Sequence, residues 1–354
     1  MADHSRSAPD MIDQVRGSIA EPDSRSARLS RMRQLTLARP AGSLGRLDET
    51  IHHIAAIRGE VVTASLPAVV SVLAGDHGVA RRGMSAFRPE VTSSVLTLIE
   101  AGRAPVNVMA QRVPARVVFA DFGLHEPTGS TRYRVGPGTA DVCVEDAMPP
   151  HSAVTGIANG IAYARERLGD AAIVAVGEIG VGNTTVASAL TARLLDLAPA
   201  EVVGPGSGVD DATVMRKRAI VEQALQRTNA DGGDAVALLA ALGGYEIAGN
   251  VGVILAAAAA RQVVVLDGFI TGVAALLAVR MCPTVGKYLI ASHQSAEPGH
   301  AAILEALDLR PLLALEMRLG MSSGAALALG LINTMVSVTV DVPPARTVGL
   351  ATGR

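Results

Sequence analysis

Ala171-Ala172-Ile173-Val174-Ala175-Val176, continued by Gly177-Glu178-Ile179-Gly180-Val181-Gly182-Asn183-Thr184-Thr185, is the stretch on which the fold turns. Its first six residues form a continuous apolar run, β-branched toward the end, the pattern of a strand buried on both faces. Glu178 sits just past that run. Three glycines then permit a tight turn, and Asn183, Thr184 and Thr185 open a stretch rich in Ala, Leu and Val that reads as a helix. The first N–H groups of a helix lack partners and carry the positive end of its dipole. They suit a phosphate, and the two threonine hydroxyls add donors. A carboxylate and an anion cradle thus share the carboxyl end of a parallel strand, where open α/β sheets bind their ligands. The same residues also suit an ordinary strand–turn–helix with a capping Asn/Thr pair.

Outward from this segment, short apolar runs alternate with helical periodicity. The expected strands are Ala68–Leu73, Arg116–Ala120, Ala171–Val176, Glu201–Val203, Gln262–Leu266 and Lys287–Ile290. Helices are expected between them, at Val91–Ala101, Ala153–Leu168, Thr185–Leu197, Asp211–Arg227, Ala235–Ala241, Ile247–Ala260, Gly272–Ala278 and Gly299–Leu307, with another from Gly324 to about Val336. This order predicts an α/β fold with a doubly wound, mainly parallel sheet. Residues 1–30 read as a loose arm, and 31–60 as two helices around Pro40-Ala41-Gly42-Ser43. The arm is followed by a small helical domain built from 31–60 and about 310–340, and by a Rossmann-like domain over 61–309.

Composition narrows the function. With 354 residues, 49% hydrophobic and 18% charged, and a mean hydropathy of +0.35, the chain is globular. A formal charge of −2 disfavours a nucleic-acid surface. Lys217 and Lys287 are the only lysines, which draws attention to each. Cys143 and Cys282 form no CxxC pair, so a reducing cytosol is expected. The start of the chain lacks the apolar core of a signal peptide, and the most apolar tract, Val251 to Val279, is broken by Arg261, Gln262 and Asp267. No membrane span is expected.

Every expected strand runs into glycines and polar groups. These are Gly75-Asp76-His77-Gly78, Asp121-Phe122-Gly123, Gly177-Glu178, Gly204-Pro205-Gly206-Ser207-Gly208, Asp267-Gly268 and Ser292-His293-Gln294-Ser295-Ala296-Glu297-Pro298-Gly299. Six such loops favour one small-molecule site shared among them. Individually each has a plainer reading: Asp76 and His77 could cap a turn, Asp267 could tie a neighbouring loop, and Glu297 could fix its own loop. His293 and His300 lack a matching Cys or carboxylate ligand, so no metal is expected.

Taken together, these loops resemble the nicotinate-nucleotide:dimethylbenzimidazole phosphoribosyltransferase (CobT) family of cobalamin lower-ligand assembly. The likeness rests on Arg39-Pro40-Ala41-Gly42-Ser43-Leu44-Gly45-Arg46-Leu47, Ala74-Gly75-Asp76-His77-Gly78-Val79, the Gly177–Thr185 segment, Leu266-Asp267-Gly268, Ser292–Gly299 and Met317-Arg318-Leu319-Gly320, in that order. The resemblance implies a homodimer in which the nitrogen of an aromatic azole base, a benzimidazole, displaces nicotinate from nicotinate mononucleotide, giving an α-riboside phosphate without a cofactor. It implies a donor site at Gly180, Gly182, Asn183, Thr184, Thr185, Gly204, Gly206, Lys217, Ser292, Gly320 and Gly324. It also implies an acceptor pocket at Asp76, His77, Phe87, Arg88 and Ser94, with Glu178 as a catalytic carboxylate.

One position departs from that pattern. Where the family carries Arg-Leu-Gly-Glu-Gly, its glutamate regarded as the general base, this chain reads Arg318-Leu319-Gly320-Met321-Ser322. Met321 is a thioether and cannot accept the proton. A positioned base contributes about 10²–10⁴-fold, so its loss weakens transfer without necessarily abolishing it. Three readings stay open: Glu178 takes the proton, the acceptor base differs, or the chain is a non-catalytic nucleotide-binding subunit.

Overall fold

The computed structural model describes residues 7–206 and 208–349. Residues 1–6 of the expected arm and Ser207 of the glycine loop lie outside them. The chain runs α1 (Ala8–Ser18), α2 (Ser24–Thr36), α3 (Arg46–Arg58), β1 (Ala68–Gly75), α4 (Val91–Glu100), α5 (Pro105–Ala110), β2 (Ala115–Gly123), α6 (Pro150–Arg167), β3 (Ile173–Ile179) and α7 (Asn183–Leu195). It continues with α8 (Pro199–Val202), α9 (Asp211–Arg227), α10 (Ala235–Leu242), α11 (Tyr245–Ala259), β4 (Val263–Leu266), α12 (Phe269–Met281), β5 (Leu289–Ala291), α13 (Pro298–Ala306) and α14 (Ser323–Asp341).

The five strands form one parallel sheet in the order β2-β1-β3-β4-β5. Their apolar runs explain the arrangement: every residue of β1, β4 and β5 is buried, which requires helices on both faces. α11 packs over β1 to β4 with α6 and α1 behind it, while α14 and α3 pack against β1, β3 and β4. From β1 the chain steps out to β2, then crosses back to β3 and onward to β4 and β5. Its connections therefore part between β1 and β3, the switch point at which such sheets open a crevice. The register sets Glu178 on β3 opposite Leu73, and Leu266 on β4 opposite Val176.

The two chain ends meet. Gln34 Nε2 donates to Thr339 Oγ1 at 2.8 Å, Ala38 N–H to Pro343 O at 2.9 Å, and α14 packs on α3 and α5. Among the described residues α14 alone is long and apolar enough to cross a membrane, yet 56% of its most apolar window is buried inside the fold.

Two expectations are corrected. Glu201–Val203 is no strand: Pro199 opens the short helix α8 there, and Glu201 accepts the Ala198 N–H at 2.8 Å. The described part of the arm is not loose. Ser7 accepts the Asp10 N–H ahead of α1, and Asp23 accepts those of Arg25 and Ser26 ahead of α2, both ordinary N-caps. Ile12 and Val15 then bury one face of α1 against α6 and α11.

Replacing Ile12 by Ala is therefore expected to lower the unfolding free energy by about 2–5 kcal/mol, the range for emptying a buried Ile or Leu site. Urea denaturation measures it; an arm that does not dock would leave the midpoint unchanged.

Candidate active site

A cavity of about 310 Å³ opens where β3, β4 and β5 end. Glu178 lies on its lining and is 3% exposed. Asn183 donates its side-chain N–H to Glu178 Oε2. Burial, reinforced by Glu246 and Asp267, pushes the Glu178 carboxyl well above the usual carboxylate range. It is a group made unusually basic by its surroundings.

One end of the cavity is cationic. Gly182 (φ 96°) takes the left-handed turn that aims the start of α7 inward, with Asn183, Thr184 and Thr185 on the wall. Lys217, from α9, reaches the same end almost fully buried, and its Nζ donates to Gly204 O at 2.9 Å and Thr184 Oγ1 at 3.2 Å. Burial pulls its pKa down, and the nearby Glu297 opposes that. Glu297 Oε1 accepts the Gly206 N–H at 2.7 Å and holds the glycine loop in place. The lining also has an apolar part, made by Met84, Phe87, Val91, Val95 and Met321, and Met84 Sδ accepts the Thr185 hydroxyl at 2.8 Å.

Met321 stands in a strained turn. Gly320 (φ 77°), Met321 (φ 56°) and Ser322 (φ 62°) are all left-handed, which costs a non-glycine residue roughly 1–2 kcal/mol. Backbone bonds hold the turn. Met321 N–H donates to Glu178 O at 3.1 Å. The N–H groups of Ser322 (3.0 Å), Gly324 (2.8 Å) and Ala325 (3.1 Å) all donate to the Asp267 carboxylate. Burial pushes Asp267 up, against the pull of His293 and these three donors. Gly324 must be glycine, because an added Cβ would collide with the His293 imidazole. Among the described residues no group of three or more His, Cys, Asp or Glu could hold a metal ion.

The DBI_PRT phosphoribosyltransferase family model matches residues 19–345. The nicotinate-nucleotide–dimethylbenzimidazole phosphoribosyltransferase of Chloroflexus aurantiacus is 45% identical over 91% of this chain and 93% of its own length. The enzyme of that name from Desulforudis audaxviator is 39% identical over 97% and 98%. The crystal structure of CobT from Thermus thermophilus superposes with a TM-score of 0.87 at 36% identity, covering 93% of this chain and 100% of that one. The chain belongs to the DBI_PRT phosphoribosyltransferase family.

Within this phosphoribosyltransferase fold, Glu178, Gly180, Gly182, Asn183, Thr184, Thr185, Gly206, Lys217, Gly320, Met321 and Phe87 line one cavity. Other residues singled out in the sequence stand outside its lining. Gly204 touches it only through the carbonyl that receives Lys217, and Gly324 lies under His293. Ser292 is fully buried and donates to Asp267 O at 2.9 Å. Asp76 and His77 lie behind the Gly180 turn. There His77 Nε2 meets Glu246 Oε1 at 2.9 Å, with both side chains sealed from solvent. Burial alone would lower the His77 pKa, but Glu246 prevails and raises it. Asp76 accepts the His125 N–H at 2.9 Å. Arg88 and Ser94 are exposed, and Ser94 spends its hydroxyl on Glu90 O at 3.2 Å. For Ser94, helix periodicity explains this: Thr92, Leu96 and Ile99 take the buried face of α4, half-buried Val91 and Val95 its edge on the cavity, and Ser94 lies on the side away from the buried face.

Sequence reading did not single out Met84, Val91, Val95 and Phe269, or the capping role of Asp267. The valine spacing on an amphipathic helix was the available signal for two of them.

Two stability measurements test this geometry. Ser322→Gly relieves a left-handed residue and removes a buried hydroxyl that has no partner among the described residues. It should stabilise the fold by about 1 kcal/mol, read by urea denaturation. Glu178 has a raised folded-state pKa, so its contribution is present below the unfolded value and fades as pH rises through the folded one. Glu178→Gln should therefore raise Tm relative to the native chain at pH 8 but not at pH 4; a Tm difference independent of pH would contradict the burial argument.

Proposed function

We propose that the cavity holds nicotinate mononucleotide with its phosphate at the start of α7 beside Lys217, and transfers the phosphoribosyl group to a benzimidazole-type base seated against the apolar wall. The chain is a pentosyltransferase of the nicotinate-nucleotide–dimethylbenzimidazole kind, acting in cobamide lower-ligand synthesis. The observation that carries the assignment of roles is the juxtaposition of three parts in one cavity: a cationic end at Lys217, a basic buried carboxyl at Glu178, and the apolar side of Met84, Val91, Val95 and Met321.

The chemistry follows from that layout. One azole nitrogen forms a bond to C1′ as the bond from C1′ to the nicotinate nitrogen breaks, and nicotinate leaves with the electron pair. Attack opposite the leaving group converts the β-riboside into an α-riboside 5′-phosphate. The ring becomes cationic at that moment, its remaining N–H becomes acidic, and Glu178 in its ionised form takes the proton. Alignment of donor and acceptor supplies up to about 7–11 kcal/mol and the base a further 10²–10⁴-fold. No step needs a metal or a redox cofactor.

The same reading takes a homodimer in the cytosol as the working state. Leu29, Met32 and Leu35, exposed along α2, support a face covered by a partner, and two cysteines that form no disulfide support a reducing setting. Light scattering in solution reports the first.

Nicotinate release with dimethylbenzimidazole as acceptor tests the mechanism. Glu178→Gln is expected to lower kcat by about 10²–10⁴-fold with little change in nucleotide affinity. The native kcat/KM should rise with pH as Glu178 ionises, and that rise should flatten in the variant. Met321→Glu placed in the Glu178→Gln background should restore at least tenfold. Full activity of Glu178→Gln would remove Glu178 from the base role. A native chain that turns over no acceptor, but gains turnover on Met321→Glu, would make it a nucleotide-binding protein instead.

A further inference from the structure

We propose that Glu297 meets the phosphate of the bound nucleotide as a neutral carboxylic acid, so that nucleotide binding takes up one proton at this residue. The inference rests on the donor-site reading above and deepens it.

The geometry places a resident anion inside the phosphate site. Glu297 is 4% exposed and lines the cavity. Its Oε1 takes the Gly206 N–H at 2.7 Å, while its buried Oε2 has no hydrogen-bond partner among the described residues. Gly206 itself stands directly over the cationic group: an added Cβ would come within 3.2 Å of Lys217 Nζ and 3.3 Å of Thr184 Oγ1. The carboxyl, the ammonium and the first turn of α7 are thus within one glycine's reach of each other. Lys217 carries three N–H donors and spends two on Gly204 O and Thr184 Oγ1, which leaves one for a ligand.

A phosphate held there brings up to two negative charges against an ionised carboxylate in a buried site, and like charges so close do not both persist. A proton from solvent resolves the conflict. It bonds to Oε2, no other bond changes, and the like charge beside the phosphate is removed. Oε1 keeps its bond to Gly206, so the loop stays in place.

The surrounding groups set the balance. Burial pushes the Glu297 carboxyl up, while Lys217 on α9, the Gly206 N–H and Arg318 ahead of α14 pull it down. His300 on α13 is neutral, driven to about 3 by burial and His293, and its Nδ1 accepts the Ser295 N–H at 2.9 Å. Burial also lowers His293. Asp267 and Glu178 line the same cavity. Lys217 and Arg318 are thus the cations that favour the charged form of Glu297 against its burial, and a phosphate competes for Lys217.

Calorimetry of nicotinate mononucleotide binding to the full chain at pH 7.5, in buffers of different ionisation heat, counts the protons. The native chain should take up about one proton more than Glu297→Gln, whose amide carries no charge. The variant should also gain about tenfold in relative affinity for each pH unit above the Glu297 titration. Equal uptake by the two proteins would overturn the proposal and leave Glu297 a charged clamp for its loop. Should the variant not fold, nicotinate riboside on the native chain decides: it lacks the phosphate, and uptake as large as with the nucleotide would overturn the proposal. Absence of any binding heat with the nucleotide would instead fell the donor-site reading and this proposal with it.

Discussion

The Asp267 carboxylate ties the two halves of the site together. It stands just past β4, on a short loop that leads into α12, and accepts three N–H groups from the first turn of α14, a helix that begins more than fifty residues later in the chain. Those donors are buried and would otherwise have no partner. A negative charge there also meets the positive end of the helix dipole, worth about 0.3–1 kcal/mol at exposed ends and up to ~2 kcal/mol when partly buried. Because the cap comes from the sheet and not from the helix's own sequence, it fixes where α14 starts relative to β3 and β4. The left-handed residues 320–322, the seat of Met321, and the closeness of Gly320 to Glu178 all follow from that placement.

A second constraint is electrostatic. Glu178, Glu246 and Asp267 are each buried, and the latter two raise the first. The fold satisfies them unequally: Glu246 has His77, Asp267 has three backbone N–H groups, and Glu178 has one side-chain amide. Glu178 and Asp267 both line the cavity, and of the three only Glu178 has neither a histidine partner nor backbone N–H donors on its carboxyl. A cluster of this kind lowers stability at neutral pH, and sites that keep such a cost commonly use it for chemistry. Lys217 and Glu297 repeat the arrangement at the other end, with a cation depressed and a carboxyl raised by the same burial.

Much of this was legible in the sequence, and the exceptions have physical causes. The five strands announce themselves as apolar runs because both faces of the sheet are covered. The α7 cradle is local in sequence, so its parts could be assembled without coordinates. Glu201–Val203 misled because three residues carry no periodicity, and Pro199 with its first-turn partner decided the outcome. α1 was missed because its stability lies in long-range packing of Ile12 and Val15, although Ser7, Pro9 and Asp10 spelled an N-cap. Asp267 looked like a loop-tying residue, and nothing local could reveal that its loop belongs to α14. The residues expected to line an acceptor pocket were hardest: Arg88 and Ser94 are close in sequence to lining residues, but both are exposed, and Val91 and Val95 on the edge of the buried face of α4 reach the cavity instead.

The way the turn is held explains how the side chain at position 321 can vary while the turn stays intact. The bonds that fix residues 320–325 run through their backbone: Met321 N–H to Glu178 O, and the N–H groups of Ser322, Gly324 and Ala325 to Asp267. The side chain at 321 contributes no hydrogen bond to that frame and simply faces the cavity. Replacement there changes chemistry without changing fold. The Met321 thioether joins the apolar lining with Met84, Val91 and Val95, and the buried Glu178, its carboxyl raised by Glu246 and Asp267, stands beside it.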